Sequence, residues 1–212
     1  YIFLSLGDRG NRNNSQDIKN YEGSVIRINF SGKKIIKNQF DTSWLNEVFS
    51  IGHRNPQGLI INPKNNSIWS HEHGPQGGDE INLLEGGRNY GWPKVTHGEE
   101  YGGGKIGKLT QEGFMDPKWI WVPSIAPSGM AFYNEEMFPE LKDHLLIGSL
   151  KFKQIHAIKI LNGHPVLERK LLNKSYGRIR DLEVMNDGSI LFITDEDKSG
   201  RYKGGLYQIF RK

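Results

Sequence analysis

From end to end this chain alternates short apolar runs, rich in β-branched and aromatic residues, with tight polar turns. Strand-like runs cover residues 1–6, 24–30, 47–51, 59–61, 67–71 and 80–84, then 130–133, 144–148, 154–160, 166–172, 180–185, 189–194 and 205–210. Turn dipeptides punctuate them at Ser31-Gly32, Asn162-Gly163, Asp187-Gly188 and Gly204-Gly205, where a positive φ is needed and glycine supplies it without steric cost. The best helical window, 42–49, is too brief to define a fold. The predicted class is all-β.

One pattern recurs. Gly58-Leu59-Ile60-Ile61-Asn62-Pro63, leading to Ser67-Ile68-Trp69, resembles Asp181 through Phe192: an apolar strand, a turn holding Asn or Asp, then a second apolar strand opening at Ser. Met130–Tyr133 followed by His144–Gly148 fits as a third copy with a longer connection. Antiparallel units of this size cannot each bury two faces alone. Radial stacking buries them and leaves short edges, which is the β-propeller solution. A β-sandwich also accommodates short strands and Gly-rich turns. On the propeller reading the chain is one partial domain over 1–212, and the long insertion at 89–128 joins blades over one face.

Composition removes several function classes. Cysteine is absent, so disulfides, thiolate catalysis and Cys-ligated metals are excluded. The 28 basic residues against 24 acidic ones are scattered singly or in pairs, unlike the concentrated face of a nucleic-acid binder. No apolar run reaches the length of a membrane-spanning helix. The chain opens on Tyr1 in what reads as mid-strand, and the expectation is a fragment whose upstream part is lost, cleaved or supplied as a second chain.

The chemistry gathers at polar strand ends. Gly52-His53-Arg54-Asn55-Pro56-Gln57-Gly58 and His71-Glu72-His73-Gly74-Pro75-Gln76-Gly77-Gly78-Asp79-Glu80 hold more polar and turn-forming residues than a core requires, and read as a pocket rim. Arg178 and Arg180 share one strand face and repel unless an anion or carboxylate lies between them. With Arg54 and Lys151 they form a cationic collar suited to a polycarboxylate or phosphate ligand. The turn at Gly74 and Pro75 directs carbonyl oxygens outward, which suits a hard cation such as calcium. His71 and His73 show zinc-like alternation without a third ligand at a recognisable interval. Asp195-Glu196-Asp197 reads either as a second calcium site or as an exposed acidic loop. Asp8, ending the first strand, either closes an Asx turn with Gly10 or orients a catalytic histidine. His53 reads as structural.

Eight stretches, in order, carry a family resemblance: Leu6-Gly7-Asp8-Arg9-Gly10, Gly52–Gly58, Glu72–Pro75, Gly78–Asn82, Gly86–Pro93, Pro123–Gly129, Gly148–Lys151 and Arg178–Asp181. The chain resembles the C-terminal part of the soluble pyrroloquinoline quinone-dependent aldose sugar dehydrogenases, in the glucose/sorbosone dehydrogenase family. The resemblance implies a six-bladed β-propeller, of which this chain supplies roughly the last four blades. It implies that Arg54, Asn55, Ser124, Lys151, Arg178 and Arg180 contact the quinone. Gly74 and Pro75 are implied as backbone carbonyl ligands of calcium, and Asp8 as the carboxylate that orients a catalytic histidine lying upstream of residue 1.

The implied reaction is oxidation of an aldose sugar at its anomeric carbon to a lactone, with hydride transfer to the calcium-bound quinone and reoxidation by a separate electron acceptor. The implied location is periplasmic or secreted. The competing reading is a non-catalytic propeller that binds a carbohydrate or a partner protein. On the fragment reading, residues 1–212 alone are inactive.

Overall fold

The computed structural model describes residues 1–33, 35–173, 175–196 and 200–212; Asp197 of the acidic run lies outside the described residues. These are all-β, with two short 3-10 turns at Arg12–Gln16 and Pro139–Leu141. The strands are β1 (Ile2–Ser5), β2 (Ser24–Ile28), β3 (Val48–Ile51), β4 (Pro56–Ile61), β5 (Ile68–Glu72), β6 (Asp79–Leu84), β7 (Arg88–Asn89) and β8 (Trp119–Trp121). They continue with β9 (Pro127–Tyr133), β10 (His144–Ser149), β11 (Ile155–Leu161), β12 (His164–Leu171), β13 (Arg178–Val184), β14 (Ile190–Asp195) and β15 (Gly205–Ile209). Every run expected from the pattern holds a strand.

The short helix expected at 42–49 is instead a turn leading into β3. Val48, Phe49 and Ile51 are all buried there, and pairing of β3 with β2 outweighs the weak helical periodicity. Two strands were not expected, β7 and β8. Each is two or three residues long and adds an edge to a sheet whose inner strands carry the pattern.

The described residues form four sheets, ordered β1-β2-β3-β7, β4-β5-β6-β8, β9-β10-β11-β12 (antiparallel throughout) and β13-β14-β15. The three recurring sequence units are the neighbouring pairs β4 and β5, β9 and β10, and β13 and β14. Asn162-Gly163 closes the β11–β12 hairpin with both φ angles positive, at 51° and 77°, leaving Leu161 paired with His164.

The chain divides into two compact units: Tyr1–Leu59 with Ser67–Ser124, and Ile60–Asn66 with Ile125–Lys212. In the first, Val25, Phe49, Leu84 and Tyr90 are buried together, drawing on both of its sheets, with Phe3, Leu59, Ile68 and Met115 packed against them. In the second, Ala131, Tyr133, Leu146, Ile155 and Ala157 meet Ile179, Leu182, Ile190 and Phe192 of the facing sheet. Tyr133 is fully buried because its hydroxyl is satisfied, donating to the carbonyl of Gly188 and accepting from the amide of Phe138.

Candidate functional site

Asp8 and the adjacent pair Arg54 and Asn55, far from it in sequence, meet in the first unit. The amide of Asp8 donates to the carbonyl of Arg54 at 2.9 Å. Gly7 permits that approach, since a Cβ there would lie 3.0 Å from the same carbonyl oxygen. Together the three residues line a concavity of about 400 Å³ with Gly10, Pro56 and Gln57. Asp8 does close the Asx turn: its Oδ1 accepts from the amide of Gly10 at 2.9 Å. Its Oδ2 accepts from the indole Nε1 of Trp92 at 2.8 Å.

Arg54 is oriented on three sides. Nη1 donates to the carbonyls of His73 (3.0 Å) and Gly74 (2.9 Å), Nη2 reaches the hydroxyl of Tyr101 at 3.5 Å, and the guanidinium lies 5.4 Å from the centre of the Trp92 ring. A guanidinium so held loses little freedom when it meets a carboxylate. Asn55 is held through its backbone, donating to Glu72 Oε2 and accepting from the amide of His73, while its side-chain Oδ1 accepts from Gln57.

Beneath this rim lies a buried polar network that sequence reading did not assemble. His53, fully buried and stacked on Tyr90, bonds Ser50 Oγ through Nε2 and Glu72 Oε1 through Nδ1. Glu72 also accepts from the amides of Arg54 (2.5 Å) and Asn55 (3.3 Å) and from Asn82 Nδ2. It therefore fixes the backbone from which both predicted contact residues project. Asp79 ties two further predicted residues together, its Oδ1 accepting from the amide of Gly74 and from Ser124 Oγ. Gly74 sits in a crowded loop where any Cβ would overlap the carbonyl oxygens of Gly77 and Gly78. Pro75 is buried beside it.

Glu72 and Glu80 stand directly opposite each other on β5 and β6, a like-charge pair that is unfavourable in a sheet. Asn82 Nδ2 bridges them, donating to both. Glu80, walled in apart from a narrow opening, is pushed up to about 8, first by burial and then by the charge of Glu72. With Arg54, Glu72, Gly74, Tyr90 and Trp92 it lines a hollow of about 10 Å³, the size of a single water or ion. Among the described residues no three His, Asp or Glu side chains form a metal cluster, so a cation here would draw on carbonyl oxygens together with one or two carboxylates.

This pair gives a first prediction. Glu80 keeps its proton in the folded chain up to about pH 8 but releases it near 4.5 when unfolded. Stability from this group is therefore complete below pH 4.5 and lost as pH rises towards 8. Glu80→Gln should remove up to one proton's worth of that slope, so that urea midpoints of variant and native chain diverge from pH 5 to 8 in favour of the variant. Parallel midpoints would contradict it.

In the second unit, Arg178 and Arg180 do share a carboxylate. Asp195, paired with Arg178 across β13 and β14, lies 3.3 Å from Arg178 Nη1 and 2.5 Å from Arg180 Nη2, and its Oδ2 accepts from Arg180 Nε at 2.7 Å. The reading of Asp195 as an exposed acidic residue or calcium ligand missed this role. Lys151 is exposed, with its amide on the carbonyl of Ile125 and Nζ 5.4 Å from the Phe152 ring centre. The predicted group is thus presented by two units: Asp8, Arg54, Asn55, Gly74, Pro75 and Ser124 on one, Lys151, Arg178 and Arg180 on the other.

The family model for glucose/sorbosone dehydrogenase matches residues 1–206. The aldose sugar dehydrogenase YliI of Escherichia coli (strain K12) is 40% identical over 202 residues, covering 92% of this chain and 54% of that protein. Quinoprotein glucose dehydrogenase B of Acinetobacter calcoaceticus is 27% identical, covering 85% and 49%. The chain spans about half the length of these curated relatives. Among solved structures, the apo-form of the soluble aldose sugar dehydrogenase from Escherichia coli superposes with a TM-score of 0.88 at 36% identity, over 99% of this chain and 61% of that one. The PQQ-bound form of the aldose sugar dehydrogenase from Streptomyces coelicolor gives 0.75 at 26% identity, over 97% and 57%.

Proposed function

Since the chain belongs to the glucose/sorbosone dehydrogenase family, we propose that it is part of a quinoprotein that oxidises aldose sugars at the anomeric carbon to lactones. The parent is read as a six-bladed propeller acting in the periplasm or outside the cell, with calcium-bound pyrroloquinoline quinone as cofactor and a separate electron acceptor. Among the described residues no helix is long and apolar enough to cross a membrane. Ile2 and Leu4 on one sheet, and Ile193 and Leu206 on another, are exposed apolar side chains, and we read them as surfaces on which further sheets of a longer parent pack.

The observation that carries this reading is the oriented guanidinium of Arg54 beside Asp8 in one concavity. When bound, the quinone accepts the hydride that leaves the anomeric carbon. The residues of this chain do the rest by position and charge. Arg54 would meet a carboxylate of the cofactor, and Asn55 and Ser124 would add neutral hydrogen bonds; Lys151, Arg178 and Arg180, carried by the second unit, are each proposed as further carboxylate contacts. Asp8 would take the N–H of the upstream histidine and fix the tautomer in which that histidine removes the hydroxyl proton. The carbonyls of Gly74 and Pro75 would hold the cation. The carbonyl oxygens of this loop, with the Glu72 and Glu80 carboxyls that line the adjoining hollow, are hard oxygen donors of the kind calcium takes, and a cation there would displace the proton that burial favours on Glu80.

Asp195 favours a second reading, in which Arg178 and Arg180 are a structural ion-pair cluster of a non-catalytic propeller that binds a carbohydrate or protein. Titrating the apo parent with quinone at fixed calcium separates the two. Arg178→Ala or Lys151→Ala should weaken binding by about 1–3 kcal/mol if each makes a charge-assisted bond to a carboxylate. Ordinary exposed charges would change it by less than about 0.5 kcal/mol, and unchanged affinity in both variants would remove the assigned roles.

A further inference from the structure

Trp92 is absent from the predicted contact group, yet both elements of the first unit's site converge on it. The side chain is buried, 5% exposed. Its indole edge donates to Asp8 Oδ2 at 2.8 Å. One guanidinium, that of Arg54, lies 5.4 Å from its ring centre, and a second, that of Arg12, lies at the same distance. Arg12 is held by a two-pronged ion pair with Glu100, at 2.5 and 2.6 Å. The Trp92 backbone is fixed as well: its amide donates to the carbonyl of Gly52 at 3.0 Å, and its carbonyl accepts from Gln16 Nε2 at 2.7 Å. Gln16 in turn exchanges two hydrogen bonds with Asn89.

A core tryptophan needs only one acceptor for its N–H, and any nearby carbonyl would serve. Here the acceptor is the carboxylate assigned to the catalytic base, while the π face supports the cation assigned to the cofactor. A ring that can neither tilt nor slide ties the two positions together. We propose that Trp92 is the positioning residue of this site. Its N–H fixes the carboxylate plane of Asp8, so that the other lone pairs face the histidine, and its face fixes the guanidinium of Arg54 towards a cofactor carboxylate. The proposal rests on the quinoprotein reading above and adds a residue to it.

The two roles separate by substitution in the full-length parent. Trp92→Phe keeps a ring face and loses the donor. Trp92→Leu loses both. Phe should lower kcat by about 10-fold to 100-fold, leaving the aldose KM and the quinone Kd, measured by equilibrium dialysis, within about twofold. Leu should in addition raise the quinone Kd by about threefold to thirtyfold, as expected for a lost cation–π contact. If Trp92 acts through Asp8, Trp92→Phe should cost less than about a further twofold in kcat in an Asp8→Ala background. Independent, multiplying losses would overturn the proposal, as would Phe and Leu variants that weaken quinone binding equally. Should Trp92→Phe fail to fold, Asp8→Ala tests the same bond from its other end. The Trp92 indole N–H, followed by proton–nitrogen NMR without quinone, should then exchange with solvent at least about tenfold faster. Unchanged exchange would overturn the proposal. A wild-type parent that oxidises no aldose with quinone and calcium would instead defeat the functional reading, while the exchange measurement still decides whether the ring holds Asp8.

Discussion

Glu72→Ala should destabilise the first unit by about 3–5 kcal/mol, the cost of removing one partner from a buried charged network. Four donors depend on this carboxylate: His53 Nδ1, the amides of Arg54 and Asn55, and Asn82 Nδ2. Glu72 is 3% exposed and His53 is fully buried, so water cannot readily replace the lost acceptor, and each stranded donor costs about 1–3 kcal/mol. Stability should fall further than for Arg178→Ala, whose partners lie on a half-exposed strand end. Urea denaturation followed by tryptophan fluorescence checks this, because Trp69 and Trp92 are both buried in the same unit. A loss below about 1 kcal/mol would mean that the network contributes little to holding Arg54 and Asn55.

Much of the fold was legible because strand period and turn chemistry agree locally. The pairs β9–β10 and β13–β14 each begin and end within a few residues of where alternation and turn residues place them. The failures share one cause. The turn before β3 looks helical, and β7 and β8 look like loop, because strand pairing rewards backbone hydrogen bonds that leave little mark on side-chain pattern.

At the site, motif order led to Arg54 and Asn55, but not to what holds them. Glu72, Asp79, Glu80 and Trp92 act through register and through distant loops. A hairpin register read for residues 68–84 would have placed Glu72 against Glu80, and that like-charge pair was the one signal available. The bond from Trp92 to Asp8 spans a long separation in sequence and has no local signature. Asp195 reads from sequence as a calcium ligand or an exposed acidic residue, whereas strand pairing sets it opposite Arg178.

The largest effect expected is the dependence of activity on the two added components. The full-length parent, stripped with a chelator and reloaded with pyrroloquinoline quinone and calcium, should reduce an artificial dye at the expense of glucose or another aldose. Omitting either component should reduce that rate to background, because on the proposed reading the hydride leaving the anomeric carbon has no acceptor without the quinone, and the carbonyls of Gly74 and Pro75 are proposed to hold the calcium. Glucose-driven dye reduction by the reloaded parent is the measurement that bears most directly on the account. A saturable rate that requires both quinone and calcium is the predicted result, and a fully folded, reloaded parent that reduces no dye with any aldose would contradict it.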